Sequence, residues 1–199
     1  MQLNLIERPS EEIVTLGEAK NYLRVDHDFD DMLIGGLIKS TREAIESILQ
    51  KSILKQTWEY RLDNYAIDSL CFVAGDHPSI CRGVMKIPLP KPPILKIIGV
   101  EVDNLDVDSD QYSLEREGGK FYLCIRKASL FKNKRKISLA TRYEAGMADD
   151  VENIPYQLKL ANLMLVANAF QERFSYEQKE IISQGVKQLL SPFLNLRII

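Results

Sequence analysis

The chain has 199 residues, of which 45% are hydrophobic and 27% charged, with 26 Lys and Arg against 28 Asp and Glu for a formal net charge of -2. That length and composition suit one large folded domain, or a domain carrying an insertion, and exclude a disordered or low-complexity chain. Charge so close to balance argues for no particular partner.

The opening MQLNLIERP has neither the basic start nor the apolar run of a secretory signal, so a cytosolic, non-membrane protein is expected. Thr15 and Glu18 then form a T-x-x-E capping box, and Leu16, Ala19 and Leu23 mark one face of a short helix ending near Arg24. In the interruption VDHDFDD, Asp26, Asp28 and Asp30 have the first spacings of a calcium loop. Position six would be Asp31 instead of Gly and position twelve Leu37 instead of Glu, so the calcium reading fails. These carboxylates are better read as complementing the start of the next helix.

That helix is predicted from about Asp30 to Gln50, with Leu33, Leu37, Ala44 and Ile48 on one line and Ile34, Ile38, Ile45 and Leu49 beside it. Gly35 and Gly36 in its middle should cost about 1 kcal/mol each relative to Ala. Close approach of another helix is the expected compensation, and the apolar stretch 154–174 is the expected neighbour.

From Lys55 the period changes to two. Trp58, Tyr60 and Leu62 alternate with Glu59, Arg61 and Asp63, as in a half-buried strand. A strand near Leu70 to Val73, the turn-rich GDHPSICRG and an extended segment held by Pro88, Pro90, Pro92 and Pro93 lead to a strand from Ile94 to Val102. Tyr112 to Arg116 and Phe121 to Arg126 flank Gly118 and Gly119 as a hairpin, and Lys136 to Tyr143 carries Ile137, Leu139, Thr141 and Tyr143 on one face. About five strands are thus predicted between two helical blocks.

The stretch 154–174, IPYQLKLANLMLVANAFQERF, has too little polar surface for an ordinary surface helix. Leu160, Leu163, Ala167, Phe170 and Phe174 recur at helical steps, and Leu158, Met164, Leu165, Val166 and Ala169 are apolar on the flanks. Such a helix must be covered on most sides, by the chain's own core or in part by a neighbouring subunit. Pro155 suits its first turn, and Asp149, Asp150 and Glu152 suit its positive end. Ser175 and Gln178 suggest a second capping box, with Ile182, Val186, Leu189 and Phe193 on a last amphipathic helix stopped near Pro192 and followed by the apolar tail LNLRII.

Chemistry is sparse. His27 and His77 lie in loop-like segments beside no nucleophile motif, Gly118 and Gly119 belong to no phosphate loop, and Cys71, Cys81 and Cys124 lack metal-ligand spacing. No cofactor and no metal site are expected. Charge is more informative. Glu101, Asp103, Asp106, Asp108, Asp110, Glu115 and Glu117 form an acidic block, whereas Lys120 through Arg142 contains no acid and includes Lys132, Lys134, Arg135 and Lys136. The two blocks either pair with one another or leave the KNKRK loop to meet an acidic partner or passing DNA.

Several stretches in order resemble the head-tail connector, or adaptor, proteins of long-tailed double-stranded DNA phages and gene transfer agents. They are VTLGEAKNYLRVDHDFDDMLIGGLI, QTWEY, IPLPKPPI, YEAG, IPYQLKLANLMLVA and LLSPF. The resemblance implies a structural, non-enzymatic ring, commonly of twelve subunits, docked under a portal protein and joined to the next neck or tail component, in a virion or gene-transfer-agent neck assembled in the bacterial cytoplasm. It implies portal contact through Ser191, Pro192, Phe193, Leu194, Asn195, Leu196, Arg197, Ile198 and Ile199. The family often ends in a more basic segment, whereas here only Arg197 is charged.

The expected fold is α+β: a helical bundle from residues 1–54 and 148–199, with an antiparallel β unit at 55–147. The basic residues Lys132, Lys134, Arg135 and Lys136 are candidates to line a channel for DNA passing without sequence-specific binding. Two rival readings are a nucleic-acid-binding regulator working through the KNKRK cluster, and a hydrolase using His27 or His77.

Overall fold

A computed structural model describes residues 1–66, 79–81, 84–126, 134–148, 150–172 and 182–194. The chain is an α+β protein and divides into two compact units. One comprises Met1–Arg8 with Lys55–Met147, the other Pro9–Leu54 with Ala148–Ile199.

The second unit is helical. α1 (Leu16–Leu23) begins at the expected capping box: the Glu18 amide donates to Thr15 Oγ1 at 3.2 Å, and the Thr15 amide donates to Glu18 Oε2 at 2.7 Å. The helix stops at Arg24, which takes a left-handed conformation. Lys20 then reaches Asp28 at 2.6 Å and Asp31 at 2.7 Å, so the carboxylates after α1 fasten it to the start of α2 (Asp31–Leu49).

α3 (Tyr156–Glu172) packs on α2 along Ile34, Ile38, Ile45 and Leu49, all buried. Asn162, one of the residues that interrupt the apolar run of α3, is fully buried. Its Nδ2 donates to Thr41 Oγ1 at 3.0 Å and to the Ile38 carbonyl at 3.3 Å, a polar tie between the two helices. Arg42, 2% exposed on the same side of α2, donates to Glu12 at 2.6 Å and to Glu46 at 2.9 Å, while Glu46 also accepts the Ile53 amide at 2.8 Å. Burial alone disfavours the Arg42 charge, but the Glu12 hydrogen bond and the surrounding carboxylates outweigh it and raise its pKa.

The first unit holds two antiparallel sheets. Its strands are β1 (Gln2–Glu7), β2 (Gln56–Ala66), β3 (Ser79–Cys81), β4 (Val84–Pro88), β5 (Ile94–Val102), β6 (Leu105–Asp106), β7 (Tyr112–Glu117), β8 (Lys120–Ile125) and β9 (Lys136–Ala145). One sheet has the order β1-β2-β9-β5-β6 and the other β3-β4-β8-β7. They share one core, built from Leu62, Leu139 and Tyr143 on one side and Met85, Leu123 and Ile125 on the other. The β7–β8 hairpin turns at Gly118 and Gly119, with φ +56° and +79°, a conformation that favours glycine.

Several expectations change. The first eight residues run with the sheet unit instead of the bundle, because β1 pairs with β2 from Gln2↔Arg61 onward. The proline-bearing segment before β5 includes a true strand, β4, in which Pro88 is the last residue and leaves the ladder intact. Glu59, placed by alternation on a polar face, is 6% exposed, because Arg61 and Arg142 lie over it. The last helix, α4 (Gln184–Leu190), is capped by Ser183 and starts after Ile182. The Ser175–Gln178 box, Phe174 and the strand near 70–73 lie outside the described residues.

Candidate assembly surfaces

The C-terminal segment is fixed at its root. Ser183 Oγ accepts the Val186 amide at 3.4 Å, Val186 and Leu190 are buried, and a single 3-10 turn, Ser191–Phe193, follows with Pro192 near its start. Lys51, just past α2, donates from Nζ to the Phe193 carbonyl at 2.7 Å. Burial lowers the Lys51 pKa. Ser191, Pro192 and Leu194 are exposed and Phe193 is half-buried, so the last described turn is anchored yet open to solvent. Asn195, Leu196, Arg197, Ile198 and Ile199 lie outside the described residues.

The basic block is partly neutralised. Lys134 reaches Asp103 at 2.6 Å, and the Ser138 amide donates to the same carboxylate at 2.7 Å; the Lys134 bond first, then the amide, lowers the Asp103 pKa. Arg126 meets Glu115 at 3.2 Å across the β7–β8 hairpin. Lys86, from outside the block, lies 3.3 Å from both Glu115 and Glu117. The two charge blocks therefore pair in part, as cross-strand neighbours should. Arg135 and Lys136 are exposed and make no ion pair among the described residues. Lys132 lies outside those residues.

The largest uncovered apolar side chains of the helical unit sit where sequence reasoning did not look. Phe29 is 95% and Met32 92% exposed, and Leu33 is 41% exposed one position later. Their sequence spacing with Gly36 is i, i+3, i+4, i+7, although Phe29 itself stands in the turn before the Asp30 cap and only Met32, Leu33 and Gly36 lie on α2. That spacing was readable, but the four aspartates of VDHDFDD drew the segment toward a charge interpretation. Gly35 and Gly36 lie on the exposed side, and a Cβ built on either meets nothing within 4 Å. The expected close approach of α3 to this glycine pair does not occur among the described residues: α3 reaches α2 at Ile38 and Thr41 through Asn162, while the glycines stay exposed.

α3 itself has no exposed residue from Leu158 to Phe170, although Leu160, Met164, Ala167 and Phe170 are only half-buried. Beside its second half and the end of α1 runs a groove of about 560 Å3, lined by Tyr22, Leu23 and Arg24 from one side and by Met164, Ala167, Asn168, Phe170 and Gln171 from the other.

Chemistry remains sparse. His27 lies 4.0 Å from Asp30 and stacks obliquely on Phe29 at 5.5 Å, with no nucleophile in reach among the described residues. His77 is outside them. Cys124 is buried, and burial first, then its hydrogen bond to Glu115, pushes its thiol up to about 12, where it is inert as a nucleophile. No His, Cys, Asp and Glu cluster able to hold a metal occurs among the described residues, and no helix among them is long and apolar enough to cross a membrane.

Residues 13–77, which include α1, α2 and β2, match the family of the phage gp6-like head-tail connector protein. No curated protein sequence matches the chain. Three solved structures share its fold at 15% identity, each covering 100% of this chain and 98% of the other. They are the virion of a native gene transfer agent particle (TM-score 0.70), the neck of an empty particle with C6 symmetry (0.71) and the neck of a native particle with C12 symmetry (0.66). The resemblance read from the sequence is thus borne out: residues 13–77 match the head-tail connector family, and the whole chain shares its fold with a chain in structures of gene-transfer-agent necks.

Proposed function

We propose that the chain is a structural, non-enzymatic head-tail connector subunit, one of a ring in the neck of a phage or gene transfer agent particle. One observation carries the reading. The residues that build α1 and α2 match the connector family, and the whole fold corresponds to chains from necks of six- and twelve-fold symmetry. The ring docks beneath a portal protein, meets the next neck or tail component on its other side, and leaves an axial channel for DNA.

The anchored root of the C-terminal segment supports portal docking by Ser191 to Ile199: the Lys51 bond fixes the chain at Phe193, and Ser191, Pro192 and Leu194 are exposed there and available to a partner. Arg135, Lys136 and Lys132 are the better candidates to face DNA, since Lys134 is engaged by Asp103. A channel with few unpaired cations suits passage, because strong phosphate binding would retard it.

Deleting Leu194 to Ile199 tests the docking claim. DNA-filled heads without tails are expected by electron microscopy, with the truncated chain still folded; normally tailed particles would sink the claim. Mixing the purified chain with portal rings should give a stoichiometric complex that the truncated chain does not form.

A further inference from the structure

The connector reading requires subunit contacts but does not say which surfaces make them. We propose that the exposed apolar side chains at the start of α2, Met32 and Leu33 beside Gly36 on the helix and Phe29 in the turn before it, seat in the α1–α3 groove of a second copy of the chain. This rests on the ring reading above and gives it a specific interface.

The occupant follows from four observations. First, Phe29 and Met32 are almost wholly exposed, at 95% and 92%. Met32, Leu33 and Gly36 follow one another on α2 at helical steps, and Phe29 stands in the turn just before the Asp30 cap, so uncovered apolar side chains gather at this end of the helix. Second, two adjacent glycines weaken a helix, and among the described residues nothing approaches them: a Cβ at Gly35 or Gly36 meets no described atom within 4 Å. A helix face stripped of side chains gains from such a pair when another helix packs close to its backbone, and that helix has to come from outside.

Third, the groove supplies a matching surface. At about 560 Å3 it has room for the Phe29 and Met32 side chains together, and its lining is mixed: Leu23, Met164, Ala167 and Phe170 offer apolar contact, with Tyr22, Arg24, Asn168 and Gln171 supplying polar groups among them. Fourth, charge agrees with the fit. Arg24 at the groove edge and Asp26 beside Phe29 are both exposed and make no ion pair among the described residues, so the stripe of one copy brings an acid toward the groove's base.

Stripe and groove are different surfaces of the same unit. Their contact is therefore heterologous, the head-to-tail type that repeats around an axis, whereas a self-complementary face would stop at a dimer. That is the type of contact a ring requires.

A photo-reactive benzophenone amino acid at position 29 tests the contact directly, in particles assembled from a mixture of isotope-labelled and unlabelled full-length chains. Adducts between two copies, with the acceptor at residues 22–24 or 164–171, are expected. Adducts to the portal or to another neck component, adducts elsewhere on the neighbour, or none in particles that contain the chain would overturn the contact and leave the connector reading standing. A chain missing from the necks of otherwise complete particles would instead overturn that reading, and the ring contact with it.

Gly36→Leu gives a second, independent measurement. The position is exposed and open, so the free subunit should fold with an unchanged or raised melting temperature, while assembly into particles is lost. A variant that assembles as well as the parent chain would remove α2 from the interface.

Discussion

The first turns of α2 and the body of α3 are both apolar helical segments of one unit, yet they put that character to opposite uses. α3 is the more apolar to the eye, and the chain covers most of it: Leu158, Ala161 and Val166 are fully buried, no residue between Leu158 and Phe170 is exposed, and only the half-buried Met164, Ala167 and Phe170 open onto the groove. The start of α2 has an acidic flank and a glycine pair, and it carries Phe29 and Met32 into solvent. Apolar content therefore does not locate an interface. What decides is whether the same chain supplies a cover, and that depends on which of two adjacent helix lines turns inward.

The contrast is sharpest in its energetic consequences, and the largest effect belongs to α3. Leu158 is fully buried in the first turn of that helix, so Leu158→Ala removes packing and leaves a cavity. A loss of about 2–5 kcal/mol of unfolding free energy is expected in denaturant titration. A loss below about 1 kcal/mol would mean that α3 is not the packing spine of its unit.

An intermediate effect comes from the β unit, where a charge is covered instead of an apolar group. Glu59 accepts from Arg61 at 2.7 Å and from Arg142 at 3.1 Å, and the Arg61 bond above all lowers its pKa from 4.5 to about 2. Between those two values the unfolded chain holds more protons than the folded one, so stability falls as pH drops through that window. Glu59→Gln should be the less stable protein near neutrality and should lose less on acidification. Parallel acid-denaturation curves for the two proteins would show that the arginine cluster contributes nothing.

What could be read in the sequence follows the same division. The Thr15–Glu18 box, the Gly118–Gly119 turn and the inward row Ile137, Leu139, Thr141, Tyr143 were legible because each is fixed by local geometry: a cap, a positive φ, a period of two. Arg42 and Asn162 were not. Both lie in register with buried positions, Arg42 four residues after Ile38 and three before Ile45, but a charge or amide reads as surface until its partners are known. Glu12, 30 positions earlier in the chain, is such a partner. Leu33 and Ile34 present the same difficulty in apolar form. They are neighbours on two plausible stripes, and only packing shows that Ile34 is buried while Leu33 is 41% exposed. The α2 stripe lies within one segment, where its aspartates mask it, whereas the α1–α3 groove joins residues 22–24 to residues 164–171, so no window of sequence displays it.

The smallest expected effect is the other half of the contrast. Met32 is 92% exposed in the first turn of α2, so Met32→Ser removes almost no packing from the isolated subunit. Its unfolding free energy should change by no more than about 0.5 kcal/mol, the ordinary range for a surface substitution. The same substitution places a hydroxyl where the interface proposal needs a large apolar group, so incorporation into particles should fall while the melt stays where it was. If the melting transition moves as far as it does for Leu158→Ala, Met32 has a cover inside its own subunit, and the difference between the two helices disappears. If neither stability nor incorporation moves, the difference in exposure is real but has no part in assembly.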